Sequence, residues 1–132
     1  MKIVSLVARL LLGLIFLVFG LNGFLHFIPM PPPTGVAGQF YASLFASHYW
    51  VLIFGVQTIG GLLLLASRFV PLALVSLAAV IANILAFHIA MAPEGLPMAI
   101  VVAILWILVA IRNKEYLAPI FVPRTNEPAA RA

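Results

Sequence analysis

The chain has 132 residues, of which 65% are hydrophobic and 8% charged, against roughly 45–50% and about 25% in an ordinary soluble domain. Seven basic and three acidic side chains cannot cover a water-facing surface of this size, and a mean hydropathy of +1.24 excludes a soluble globular protein. At about 20 residues per span, the length accommodates four membrane helices in one domain.

Cysteine is absent, which removes disulfides, thiolate metal sites and thiol redox chemistry from this chain. The formal net charge is +4, but the basic residues are scattered and form no patch with interleaved aromatics, so nucleic acid is not the implied partner. Their placement reads as membrane topology instead.

From Leu10 to Ser67 no residue is charged, and the run is interrupted by Pro29, Pro31, Pro32 and Pro33. It is too long for one span and holds two spans with a connector. The uncharged stretches Phe69 to Pro93 and Gly95 to Ile111 hold one span each. The pattern predicts an all-α polytopic four-helix transmembrane bundle over residues 1–118, with spans at 6–27, 50–66, 70–91 and 97–116. Pro71 and Pro97 fall in first helical turns, where a missing N–H costs nothing.

In the first span, Lys2 gives a basic start that resembles a signal peptide, but Arg9 interrupts the apolar stretch that follows. The apolar stretch is also too long for one, and no A-x-A-like site follows Gly20, so the segment is expected to remain as a span. The connector from Ala37 to His48 repeats apolar residues at helical spacing, with Gln39, Ser43 and Ser47 between them. It is expected to form a short helix in the outer interface. After the fourth span, residues 119–132 carry three prolines and read as a flexible cytoplasmic tail.

Lys2, Arg9, Arg68, Arg112, Lys114, Arg124 and Arg131 all fall on one side of this arrangement. The opposite loops carry only Glu94, so the positive-inside rule places both termini in the cytoplasm.

Small residues mark where membrane helices meet, because lipid supplies little hydrophobic reason for association. Gly13 and Gly20 share a face of the first span, and Gly55, Thr58 and Gly61 share a face of the second. In the third, Ser76, Ala79, Asn83, Ala86 and Ala90 form a stripe that is expected to point into the bundle, leaving Ile81 and Ile84 nearer lipid.

Depth counting at about 1.5 Å per residue puts Gln57 and Asn83 at one level, with Asn22, His26 and His88 closer to the outer surface. Two readings stand side by side. In one, Gln57 and Asn83 share an interhelical hydrogen bond and the histidines face headgroups. In the other, Asn22, His26, Gln57, Asn83 and His88 line a pocket under a lid around Phe40 and Tyr41, where imidazole and amide groups would fix the carbonyls of a quinone or the head of a lipid. Neither paired carboxylates nor a nucleophile elbow, phosphate loop or dinucleotide fingerprint occurs.

Three segments resemble the DoxX-like family of small bacterial membrane proteins. They are Ala8-Arg9-Leu-Leu-Leu-Gly13-Leu-Ile-Phe16-Leu-Val-Phe-Gly20-Leu-Asn22-Gly23, then Gly60-Gly61-Leu-Leu-Leu-Leu ahead of Arg68-Phe-Val-Pro71-Leu-Ala-Leu, and Asn83-Ile-Leu-Ala-Phe-His88. The resemblance covers roughly residues 5–117. It implies a four-helix inner-membrane protein that serves as a small subunit of a quinone-linked redox complex, with quinone as the implied small molecule and a protein partner in the membrane. The alternative is a non-catalytic subunit packed against a larger respiratory or photosynthetic assembly. Where the family often carries a glutamate ahead of the paired glycines, this chain has Gln57, and a neutral amide exchanges no proton.

Overall fold

The computed structural model describes residues 1–125, and these are almost entirely helical. The helices are α1 (Lys2–Leu25), α2 (Gly35–Ala46), α3 (Trp50–Ala66), α4 (Val70–Ala90), α5 (Leu96–Arg112) and the short α6 (Lys114–Leu117). Single 3₁₀ turns occupy Pro93–Gly95 and Ala118–Phe121. The expected tail therefore begins with an ordered turn, and its portion from 126 to 132 lies outside the described residues.

Each break has a local cause. At the end of α1, His26 adopts the left-handed conformation, and the Asn22 Oδ1 accepts the Ile28 N–H at 2.7 Å. The prolines that follow carry no N–H with which to resume a helix. The span thus starts at Lys2, ahead of the predicted Leu6, and stops short of Phe27. α3 closes with left-handed Ser67, whose N–H bonds to the Leu64 carbonyl while that of Arg68 bonds to Leu63, the paired pattern that satisfies terminal carbonyls. Pro71 and Pro97 sit at the starts of α4 and α5.

α1, α4 and the segment Pro93–Arg112 are each long and apolar enough to cross a membrane. α2 and α3 together would make a fourth such segment, but they meet at an 88° bend, made by left-handed His48 between Ser47 and Tyr49.

Four helices close into a ring, α1 against α3, α3 against α4, α4 against α5 and α5 back against α1, with α1 and α3 in the most extensive contact. That contact is backbone against backbone. A Cβ added at Gly61 would lie 2.5 Å from the Leu17 nitrogen, and one at Gly20 would lie 2.7 Å from the Thr58 nitrogen. The expected faces of Gly13, Gly20, Thr58 and Gly61 do meet, whereas Gly55 has open space around it.

The interior is mainly apolar. Leu12, Phe16, Leu64, Leu74, Leu77 and Val109 are fully buried. The exterior is apolar too, with Leu14, Ile59, Leu62, Leu72, Ile89 and Ile104 all at least half exposed.

α4 is rotated from its predicted orientation. Ala73, Leu74, Leu77 and Ile81 are its buried residues, while Ala79, Asn83, Ala86 and Ala90 are exposed. Ile81, expected near lipid, is in the core, and Ile84 packs against it. The reason lies on the neighbouring helix. A Cβ at Gly60 would come within 2.9 Å of the Leu77 side chain, so α3 supplies the small residue and α4 supplies the large one that fills the space.

Candidate functional site

The five residues singled out in the sequence take separate places. Asn22 is 4% exposed, and its carbonyl oxygen is committed to the Ile28 N–H, which makes it the clasp of the turn after α1. His26 is exposed in left-handed backbone, and its ring stands 6.3 Å from that of Phe45. Gln57 is 7% exposed and lies on the α3 stripe that continues through Gly60 and Leu64. Asn83 faces outward and donates from Nδ2 to the Ala79 carbonyl of its own helix at 2.8 Å. His88 places Nδ1 2.9 Å from the Ala92 carbonyl, and the backbone comes close to its ring at Gly95.

A shared floor of Gln57 and Asn83 is therefore not formed. The first is in the core and the second on the outer surface, so neither the predicted interhelical bond nor the predicted pocket brings them together. Three further polar side chains follow Asn83. Thr58 Oγ1 donates to Phe54, Ser76 Oγ to Leu72 and Asn113 Nδ2 to Val109, each to a carbonyl one turn back. Where water is scarce, a side chain within reach of its own backbone satisfies itself locally.

One predicted element of this end is present. α2 lays Phe40 and Tyr41 against Phe87 of α4, at ring separations of 5.6 and 5.7 Å, and Phe45 against Trp50 at 5.5 Å. Trp50 in turn meets Phe24 of α1 at 5.3 Å. The connector thus closes the end of the bundle with an aromatic cluster. Burial pushes the Tyr41 phenol above its ordinary value, which keeps it protonated. His26 and His88 attach to this cluster at Phe45 and Phe87 respectively, with the Tyr41 ring between those two. Aromatic packing therefore intervenes between the imidazoles that were expected to share a ligand. The residues do not fit a quinone site of the predicted composition, because Asn22 and His88 are engaged with backbone groups and Asn83 faces away.

Two interactions between helices were missed in the sequence. Trp106 Nε1 donates to the Leu74 carbonyl at 2.9 Å, tying α5 to α4. Arg9 donates from Nη1 to the Leu64 carbonyl, tying α1 to the end of α3. The signal for the first was an indole N–H deep in an apolar span, which needs an acceptor when buried. The signal for the second was a lone cation one residue before a long uncharged run. Groups of His, Asp and Glu able to hold a metal ion are absent among the described residues.

Two cavities of about 250 and 260 Å³ lie at the other end of the bundle, between the start of α1 and the end of α5. The class defined by these features is an all-α chain whose helices are long and apolar enough to span a bilayer. No family model, curated protein or solved structure matches it.

Proposed function

We propose that this chain is an integral protein of the bacterial inner membrane, of the DoxX-like kind, and that it serves as a small subunit associated with a quinone-linked redox complex. Insertion is supported by the apolar exterior, since side chains such as Ile59 and Ile89 are more than 60% exposed and water would not tolerate so continuous an apolar surface. Both termini are on the cytoplasmic side in this reading, because Lys2, Arg9 and Arg112 gather at the end of the bundle where α1 begins and α5 ends.

The observation that carries the subunit reading is the outward face of α4. Ala79, Asn83, Ala86 and Ala90 offer a flat helical surface that permits close backbone approach. Within it the Asn83 amide, though bonded through nitrogen to Ala79, keeps a carbonyl oxygen available to a donor. The occupant that fits is a transmembrane helix of a larger subunit carrying small residues and a polar donor at matching depth. The quinone implied by the resemblance belongs to that partnership in this reading, and not to a pocket of this chain alone.

The absence of cysteine makes the test clean. Single-cysteine variants Ala79→Cys and Ala86→Cys, crosslinked in native membranes, should capture one larger membrane protein, whereas Ile59→Cys and Leu62→Cys on the exposed side of α3 should not. Equal capture from both helices, or capture of only a second copy of the chain, would overturn the subunit reading. Capture of a protein without quinone-reducing activity would overturn its redox part.

A further inference from the structure

The end of the bundle opposite the aromatic cluster concentrates positive charge in a cleft. On α1, Lys2, Ser5 and Arg9 follow one another at spacings of three and four, so a single helical face carries all three. The cleft is about 260 Å³ and is lined by that face together with Ser67, from the turn between α3 and α4, and Arg112 and Asn113, from the end of α5. Arg9 is half-buried and is held at the rim by its bond to the Leu64 carbonyl. A guanidinium carries five N–H donors, so the bond leaves most of them for another acceptor.

Compensation by carboxylates is sparse. Among the described residues the acidic side chains are Glu94, at the far end in the Pro93–Gly95 turn, and Glu115, which lines the adjoining cavity with Lys114. That second cavity, about 250 Å³, shares Ser5 and Arg112 with the first and adds Val4, Leu108 and Ile111 to the walls. Val4 and Ile111 are themselves exposed on the outside of the bundle. Three cations, two hydroxyls and an amide therefore open directly onto a groove in which Met1, Val4, Leu108 and Ile111 supply apolar wall beside Lys114 and Glu115.

We propose that this paired cleft binds an anionic phospholipid, with the phosphodiester held by Lys2, Arg9 and Arg112. Charge-assisted bonds from guanidinium groups match phosphate oxygens, and Ser5 and Ser67 donate to the remaining headgroup oxygens. The groove of Val4, Leu108 and Ile111 takes the start of an acyl chain. A free phosphate ion satisfies the first cavity but leaves the second without an occupant, whereas a lipid satisfies both. Basic pockets between membrane helices at the cytoplasmic surface select anionic headgroups in this way.

The proposal rests on the membrane reading, and the experiment separates the two. Membranes containing the full chain are first washed with carbonate. The chain is then purified in a zwitterionic detergent and titrated with phosphatidylglycerol, phosphatidylcholine and inorganic phosphate, with bound species counted by native mass spectrometry. One phosphatidylglycerol should be retained, with phosphatidylcholine and inorganic phosphate failing to compete. Lys2→Gln and Arg112→Gln should each weaken it about fivefold, while Arg68→Gln and Arg124→Gln, which remove the same charge outside the cleft, should leave it unchanged. Arg9 is left intact because it also caps α3. Equal losses from all four variants, or inorganic phosphate competing as well as the lipid, would overturn the site. A chain that resists carbonate but ignores phosphatidylglycerol overturns this proposal alone, and a chain released by carbonate overturns the membrane reading and this proposal together.

Discussion

The indole nitrogen of Trp106 lies 2.9 Å from the carbonyl oxygen of Leu74, and this bond joins α5 to α4 across the core. Elsewhere in the spans the hydroxyls and amides of Thr58, Ser76 and Asn83 bond within their own helices and contribute nothing to association. Trp106→Phe keeps an aromatic ring and removes the donor. It should lower stability by about 0.5–1.5 kcal/mol, measured as a shift in the unfolding midpoint of the purified protein.

Close approach of α1 and α3 depends on missing side chains. Gly61→Ala places a methyl group 2.5 Å from the Leu17 nitrogen, and backbone on both sides cannot yield, so folded protein should be strongly depleted. Gly55→Ala places one in open space and should stabilise by roughly 0.5–1 kcal/mol through helix propensity. Thermal unfolding of the two variants side by side checks both signs.

The rotation of α4 gives a contrast between its faces. Leu77→Ala empties a fully buried position beside Gly60 and should cost about 2–5 kcal/mol. Ala79→Leu and Ala86→Leu add bulk on the exposed face and should leave the isolated chain within about 0.5 kcal/mol of the parent, while each abolishes the crosslink made from a cysteine at the other position. Destabilisation of the isolated chain by either alanine variant would place that face in the interior.

Topology is testable without purification. A reporter that is active only in the periplasm should be silent when fused after Phe121 and active when inserted after Pro32. Activity at the C-terminal fusion would reverse the orientation inferred from the basic residues.

Asn22 provides a local test of the turn that ends α1. Asn22→Ala leaves the Ile28 N–H without its acceptor and should cost about 1–3 kcal/mol. His26→Ala, at an exposed left-handed position, should cost less, and the difference in unfolding midpoint separates a clasp from a ligand-binding pair.

Composition and breaker positions were enough to find every long helix, because they record constraints that act locally. Pro29 to Pro33 cannot sit in a helix, and Pro71 and Pro97 are tolerated only near its start. The uncharged runs from Leu10 to Ser67, Phe69 to Pro93 and Gly95 to Ile111 hold most of each long apolar helix. Glycine faces were legible for a related reason: at Gly13, Gly20 and Gly61 the absence of a Cβ has one main use in a packed helix. The facing of α4 was not legible. A small-residue stripe is equally suited to an inner contact or an outer one, and the choice was made by Gly60 on another helix, which opened the space that Leu77 fills. The candidate pocket failed on the same ground. Depth along a helix can be counted from sequence, but the direction in which Gln57 and Asn83 point around their axes is decided by how neighbouring helices pack, and that exists only in the tertiary structure.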